Sequence, residues 1–131
     1  MNEQNMITLM RNYHLYRIEL DILRDCPQTG GEANTSRNGR IDILKKRLVL
    51  VKHMMKLLNG REAAVLRLHL IEKLSWNEIL ELRGKNRHPE LLVNDRRTLQ
   101  RIQQRALEKV SRIMMNTFGD SLDFLIDADD G

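Results

Sequence analysis

The chain has 131 residues, 41 % of them hydrophobic but only 4 % aromatic, and a formal net charge of +4. That length can bury a core without metals or disulfides, and an apolar content of mostly Leu, Ile, Val and Met suits helix packing better than a β-sandwich. The single cysteine, Cys26, excludes an internal disulfide, and no stretch approaches the roughly 18 uncharged apolar residues of a membrane-spanning helix.

Residues 3–25 are predicted to form a helix, because Met6, Met10, Tyr13, Tyr16, Leu20 and Leu23 share one stripe, with Leu9 beside it. Residues 27–39 hold almost no apolar side chain and three glycines, and read as a flexible loop. Helical period returns over 40–58. There Ile41, Leu44, Leu48, Val51, Met55 and Leu58 make a heptad seam that keeps one face toward a partner helix. Two readings of the seam stay open: an intramolecular hairpin with helix 3–25, and a dimer interface. Ile43, Leu50, Met54 and Leu57 widen the apolar surface, so this helix is expected to pack on two neighbours.

Asn59 and Glu62 have the spacing of a capping box ahead of a helix from 60 to about 73, with Ala63, Leu66, Leu70 and Ile71 inward. Ser75 and Glu78 repeat that spacing before a short helix to about 83, which Gly84 is placed to end. A loop around Pro89 follows over 85–93. Asn94 or Asp95 then caps a last long helix, roughly 95–115, with Leu99, Ile102, Ala106, Val110 and Ile113 inward. The final stretch carries Leu122, Phe124, Leu125 and Ile126 as residues able to dock. A frayed, solubilising end is the expected state.

Charge is distributed unevenly. Residues 1–58 carry ten Lys/Arg and six Asp/Glu, and residues 59–117 carry twelve and seven. Residues 118–131 carry no Lys/Arg and five Asp. A basic body with an acidic tail favours nucleic acid as a partner. The last long helix sharpens that expectation. Opposite its apolar stripe lie Arg97, Arg101, Gln104, Glu108 and Arg112, flanked by Arg96, Gln100 and Arg105. Arg can donate twice to guanine and Gln can pair with the adenine edge, while both can also hold phosphates.

Read together, residues 57–79 (LLNGREAAVLRLHLIEKLSWNEI) resemble the first half of sigma factor region 4, and residues 95–110 (DRRTLQRIQQRALEKV) resemble its recognition helix. The resemblance implies an all-α fold, with an N-terminal helical hairpin arm over 1–58 and a sigma-region-4-like helix-turn-helix domain over 59–117. An acidic tail over 118–131 completes the chain. It places Arg96, Arg97 and Arg101 at base-facing positions of double-stranded DNA. Thr98, Gln100 and Arg105 match flanking or phosphate positions. Ser75 and Trp76 match the start of the supporting helix, where Trp76 is expected in the core rather than at DNA. The stretch from Gly84 to Asn94 is longer than the usual three- or four-residue turn. Its Lys85 and Arg87 are candidate phosphate contacts, with a surface insertion as the alternative. The order of arm, Gly30-Gly31 and Asn34-Thr35-Ser36 loop, basic helix and region-4-like module is similar to phage transcriptional activators of the RinA/ArpU kind. That similarity implies a regulator of late or packaging genes, working in the cytoplasm of a bacterial host cell. Alternatives are a small terminase subunit, and a co-activator or anti-sigma module that binds RNA polymerase without DNA.

The single thiol and the polar start, without the basic and apolar run of a secretory signal, agree with a cytoplasmic setting. Catalysis, metal ligation and a cofactor are not expected. His14, His53, His69 and His88 are scattered, no ligand set with Cys26 has metal spacing, and Gly30-Gly31 follows no strand. His69, at the edge of an apolar helix, is expected to be packed or capping.

Overall fold

A computed structural model describes residues 2–26, 31–84, 95–123 and 125, leaving aside the side chains of 31–35 and 83–84. Among the described residues the chain is all-α and contains no strand. The helices are α1 (Glu3–Arg11), α2 (Tyr13–Asp25), α3 (Gly31–Lys56), α4 (Gly60–Leu66), α5 (Trp76–Gly84) and α6 (Arg96–Phe118), and a π-helical turn, Arg67–Ile71, prolongs α4. No helix among the described residues is long and apolar enough to cross a membrane.

The first expected helix is two. Asn12, at φ −96° and ψ 6°, separates α1 from α2. The Thr8 hydroxyl donates to the Gln4 carbonyl at 3.0 Å, a local bond that bends helices. Packing supplies the larger reason. α1 lies on α6 and the π-helical turn, whereas α2 lies on α3. One straight axis cannot serve both, so the stripe of Met6, Leu9 and Met10 passes to Tyr16 and Leu20 across a bend.

The predicted loop 27–39 needs a second correction, because α3 begins at Gly31. Residues 31–39 contain no proline, so nothing stops the strongly helical 40–56 from propagating toward its N-terminus. Pairing with α2 supports the extension. Arg40 makes a two-pronged ion pair with Glu19, with Nη2 donating to Oε1 at 3.0 Å. Residues 27–30 lie outside the described residues.

The α3 seam is used inside the chain. Leu44 and Val51 are buried, and Ile41, Leu48, Met55 and Leu58 pack half-buried on the same cluster. A second α3 face buries Leu50 and Met54, so the helix does serve two sides. On α2 the side away from α3 keeps Leu15, Ile18 and Ile22 more than half exposed.

α4 opens on the expected capping box. The Glu62 N–H donates to Asn59 Oδ1 at 2.9 Å, and the Asn59 N–H donates to Glu62 Oε1 at 3.1 Å. From Ala64 to Ile71 six of eight residues are buried, because this helix carries two apolar clusters at once. Leu66, Leu70 and Ile71 join α1, α2, α3 and the C-terminal half of α6. Ala64, Val65 and Leu68 join Ile79 of α5 and Leu99 of α6. The helix closes with the Glu72 N–H donating to Arg67 O and the Leu74 N–H to Leu68 O, across Lys73 at φ 60°. Such a left-handed residue is a usual way to end a helix.

α6 spans both clusters, with Leu99 in the smaller and Ala106, Leu107, Val110 and Met114 in the larger. Gly119, at φ 58°, ends it. The chain then turns so that Leu125, one of the docking candidates, is 98 % buried; Phe124, Ile126 and the rest of 126–131 lie outside the described residues. The buried side chain beneath Leu125 is Arg47, whose Nε donates to the Leu125 carbonyl at 2.8 Å. Its guanidinium lies 5.0 Å from the Tyr16 ring centre.

Candidate nucleic-acid interface

α6 begins where Asp95 accepts the Thr98 N–H at 2.8 Å and the Thr98 hydroxyl at 3.1 and 3.2 Å from its two oxygens. The Thr98 N–H, then its hydroxyl, then the more distant Arg101 charge hold the Asp95 carboxyl below the usual range. The cap is therefore a charged one at neutral pH. Its first helical residues are Arg96 and Arg97, and that first turn holds no carboxylate. Cations there oppose the helix dipole, a choice that costs about 0.3–1 kcal/mol each. Fold stability alone does not favour them.

Arg96, Arg97, Gln100, Arg101 and Arg105 are all exposed. At 100° per residue, Arg97, Arg101, Arg105 and Arg112 share the face opposite Leu99, Ala106 and Val110. Asp95, Arg96, Arg97, Thr98 and Arg101 line one shallow hollow at the helix start. The structure thus brings the three base-facing candidates together. Thr98 is half-buried with its hydroxyl turned back to Asp95, which makes it a cap residue. Gln104 is also engaged, its amide donating to Glu108 at 3.1 Å and to Glu3 at 3.2 Å. The Lys109–Glu62 ion pair, at 3.1 Å, ties α6 to the start of α4.

The supporting α5 starts as expected. The Glu78 N–H donates to Ser75 Oγ at 3.1 Å, and the Ser75 N–H donates to Glu78 Oε1 at 3.0 Å. The Ser75 backbone N–H, and then its hydroxyl, hold the Glu78 carboxyl below its ordinary value. Ser75 is exposed, and its oxygen is already an acceptor within the cap. Trp76 is half-buried against the smaller cluster, as expected of a core residue. Its ring stacks on His69, centres 3.6 Å apart at 15°. His69 Nδ1 lies 2.9 Å from the Leu74 carbonyl and donates to it, so this residue is both packed and capping. Lys85 and Arg87, and the whole 85–94 stretch, lie outside the described residues.

One cation escaped the sequence pattern. α1 meets α6 where Gln104 donates to Glu3, and the charges of Arg11 and Arg96 both act on His69. Sequence spacing holds no signal for a residue 85 positions away. Burial, and then the Arg11 and Arg96 charges, lower the His69 pKa from 6.5, against the opposing pull of the Leu74 carbonyl. The ring is therefore neutral at neutral pH. Unfolded chain takes up this proton first as pH falls below about 6.5, so stability is full above that value and declines below it. Between about pH 7.5 and about pH 5 the wild type should lose more thermal stability than His69→Gln. Parallel losses would remove His69 as the group responsible.

The chain matches no family model, no curated protein and no solved structure.

Proposed function

We propose that this chain is a sequence-specific transcriptional regulator that binds double-stranded DNA through the N-terminal half of α6, with no catalytic role. The observation that carries this reading is the placement of Arg96, Arg97 and Arg101. All three are exposed around one hollow at the start of α6, and the helix dipole disfavours Arg96 and Arg97 in its first turn. The N-terminal end of a recognition helix is where side chains meet base edges. α5 supplies the supporting helix, joined to α6 through Ile79 and Leu99. The resemblance to phage activators of the RinA/ArpU kind adds late or packaging genes as the regulated class, and a bacterial cytoplasm as the setting.

The test is fluorescence anisotropy with duplex from around the protein's own gene, unrelated duplex as competitor, and a salt titration. Tight binding that survives the competitor and weakens steeply with salt is the expected result. Weak binding, equal for all duplexes, would overturn it and favour a module that meets RNA polymerase instead.

A homodimer is proposed as the working form, because two-fold pairing would place two such helices about one DNA turn apart. With the α3 seam occupied, the available apolar stripe is Leu15, Ile18 and Ile22 at heptad spacing. Sedimentation velocity should show a dimer that Ile18→Glu converts to monomer. A wild type that stays monomeric at high concentration removes this part of the proposal.

A further inference from the structure

α3 carries Lys45, Lys46, Val49, Lys52, His53 and Lys56 as exposed residues, of which Lys45, Lys46, Val49 and His53 border the C-terminal segment at Leu122 and Leu125. The carboxylate among them, Asp42, is engaged by Lys46 at 2.8 Å. Beside them, α2 and α3 enclose a groove whose charged lining is Arg17, Arg24, Lys45 and Lys52 against Asp21. Its floor is Leu20, Leu48 and Val49. Arg17 and Lys52 also line the next hollow along the same seam, with Lys56 and Arg67 against Glu72, which His14 engages at 3.3 Å. A continuous basic track therefore runs from Arg24 to Arg67. It shares no residue with the hollow around Arg96, Arg97 and Arg101.

Crowding cations along one groove costs the fold self-repulsion. A polyanion relieves that repulsion by giving up its condensed counterions. Length and spacing favour a nucleic acid over a small anion. Lys45 to Lys56 spans about 16 Å along the helix, the axial rise of about five phosphates on one strand. Lys and Arg at such spacing, without a fork of converging donors around one point, suit a line of phosphates. The apolar floor leaves room for the sugars between them.

We infer that the α2/α3 groove is a second DNA-binding surface, which holds the sugar-phosphate backbone of duplex DNA without reading its sequence. This inference rests on the chain being a DNA-binding protein, but not on the role of α6. The groove would position the duplex, and the α6 face would choose the sequence.

The experiment compares full-length wild type, K45Q/K52Q/K56Q and R97A/R101A on two duplexes, one from around the protein's own gene and one unrelated, over a range of salt. All substituted side chains are exposed, and Gln matches Lys in helix propensity. Circular dichroism and a thermal melt confirm that each variant is folded. The Lys variant should bind both duplexes more weakly by the same factor. Its log affinity against log salt should be shallower by about 2.7, at about 0.9 per lost phosphate contact. K45R/K52R/K56R should restore both. R97A/R101A should keep the groove's share of the slope while losing discrimination between sequences. An unchanged slope in the Lys variant overturns the groove and leaves α6 standing. An unchanged R97A/R101A with a shallower Lys variant overturns α6 and leaves the groove standing. A wild type that binds no duplex but is retained on polyglutamate overturns both, and makes the groove a site for acidic protein.

Discussion

Arg47→Ala should lower stability by about 3–5 kcal/mol, the range for truncating the largest buried side chains to Ala. In a chain of this size that corresponds to a fall in melting temperature of roughly 10–20 °C. Arg47 is wholly buried, under Leu125 and over Tyr16. Truncation removes the donor to the Leu125 carbonyl, the charge over the Tyr16 ring, and the volume that separates α3 from the C-terminal segment. Arg47→Met tests which loss dominates. It restores most of the apolar volume but leaves the carbonyl without its donor, so its cost should be about 1–3 kcal/mol. Amide exchange should quicken first around Leu122 and Leu125 in both variants, because that segment is anchored there. Losses below about 1 kcal/mol for Arg47→Ala would show that the C-terminal segment is held by Leu125 alone.

Arg47 also marks where sequence reading stops. It lies between Leu44 and Val51 and reads as one more cation on a basic helix. Its burial depends on a carbonyl 78 positions later. The same holds for Arg11, whose charge acts on a histidine 58 positions later. Local chemistry was legible where it is self-contained. Both capping boxes and the Asp95 cap formed as their spacing implied, since each needs only residues three apart. The stripes of α3 and α6 likewise identified their buried faces. Boundaries failed where a partner decides them. The bend at Asn12 reflects which helix each half packs on, and the early start of α3 reflects helix propagation and its ion pair with α2. Composition made 31–39 look like loop, but polar residues without proline do not forbid a helix. Periodicity places Arg97 and Arg101 on one face with Arg96 on its flank, and the turn of the helix start brings all three around one hollow. The Thr98 hydroxyl is engaged by Asp95, a cap bond that the flanking position alone does not reveal.

Changing Arg97 and Arg101 together to Ala should weaken specific DNA binding by about 2–6 kcal/mol, at about 1–3 kcal/mol for each base contact. Unrelated duplex should lose less, so the ratio between specific and non-specific affinity should shrink. The accompanying change in fold stability decides what the residues are for. Both side chains are exposed, and Arg97 sits in the first turn of α6, where a cation opposes the helix dipole. Removing it should leave the melting temperature unchanged or raise it slightly, by up to about 1 kcal/mol of stability. Structural residues lose stability and binding together. Residues kept for recognition, against the preference of the helix that carries them, lose binding while the fold stands or gains. Thermal melts and anisotropy on the same preparations separate the two cases. Unchanged affinity in the double variant would show that α6 does not read DNA, and a parallel loss of stability would make these arginines part of the fold.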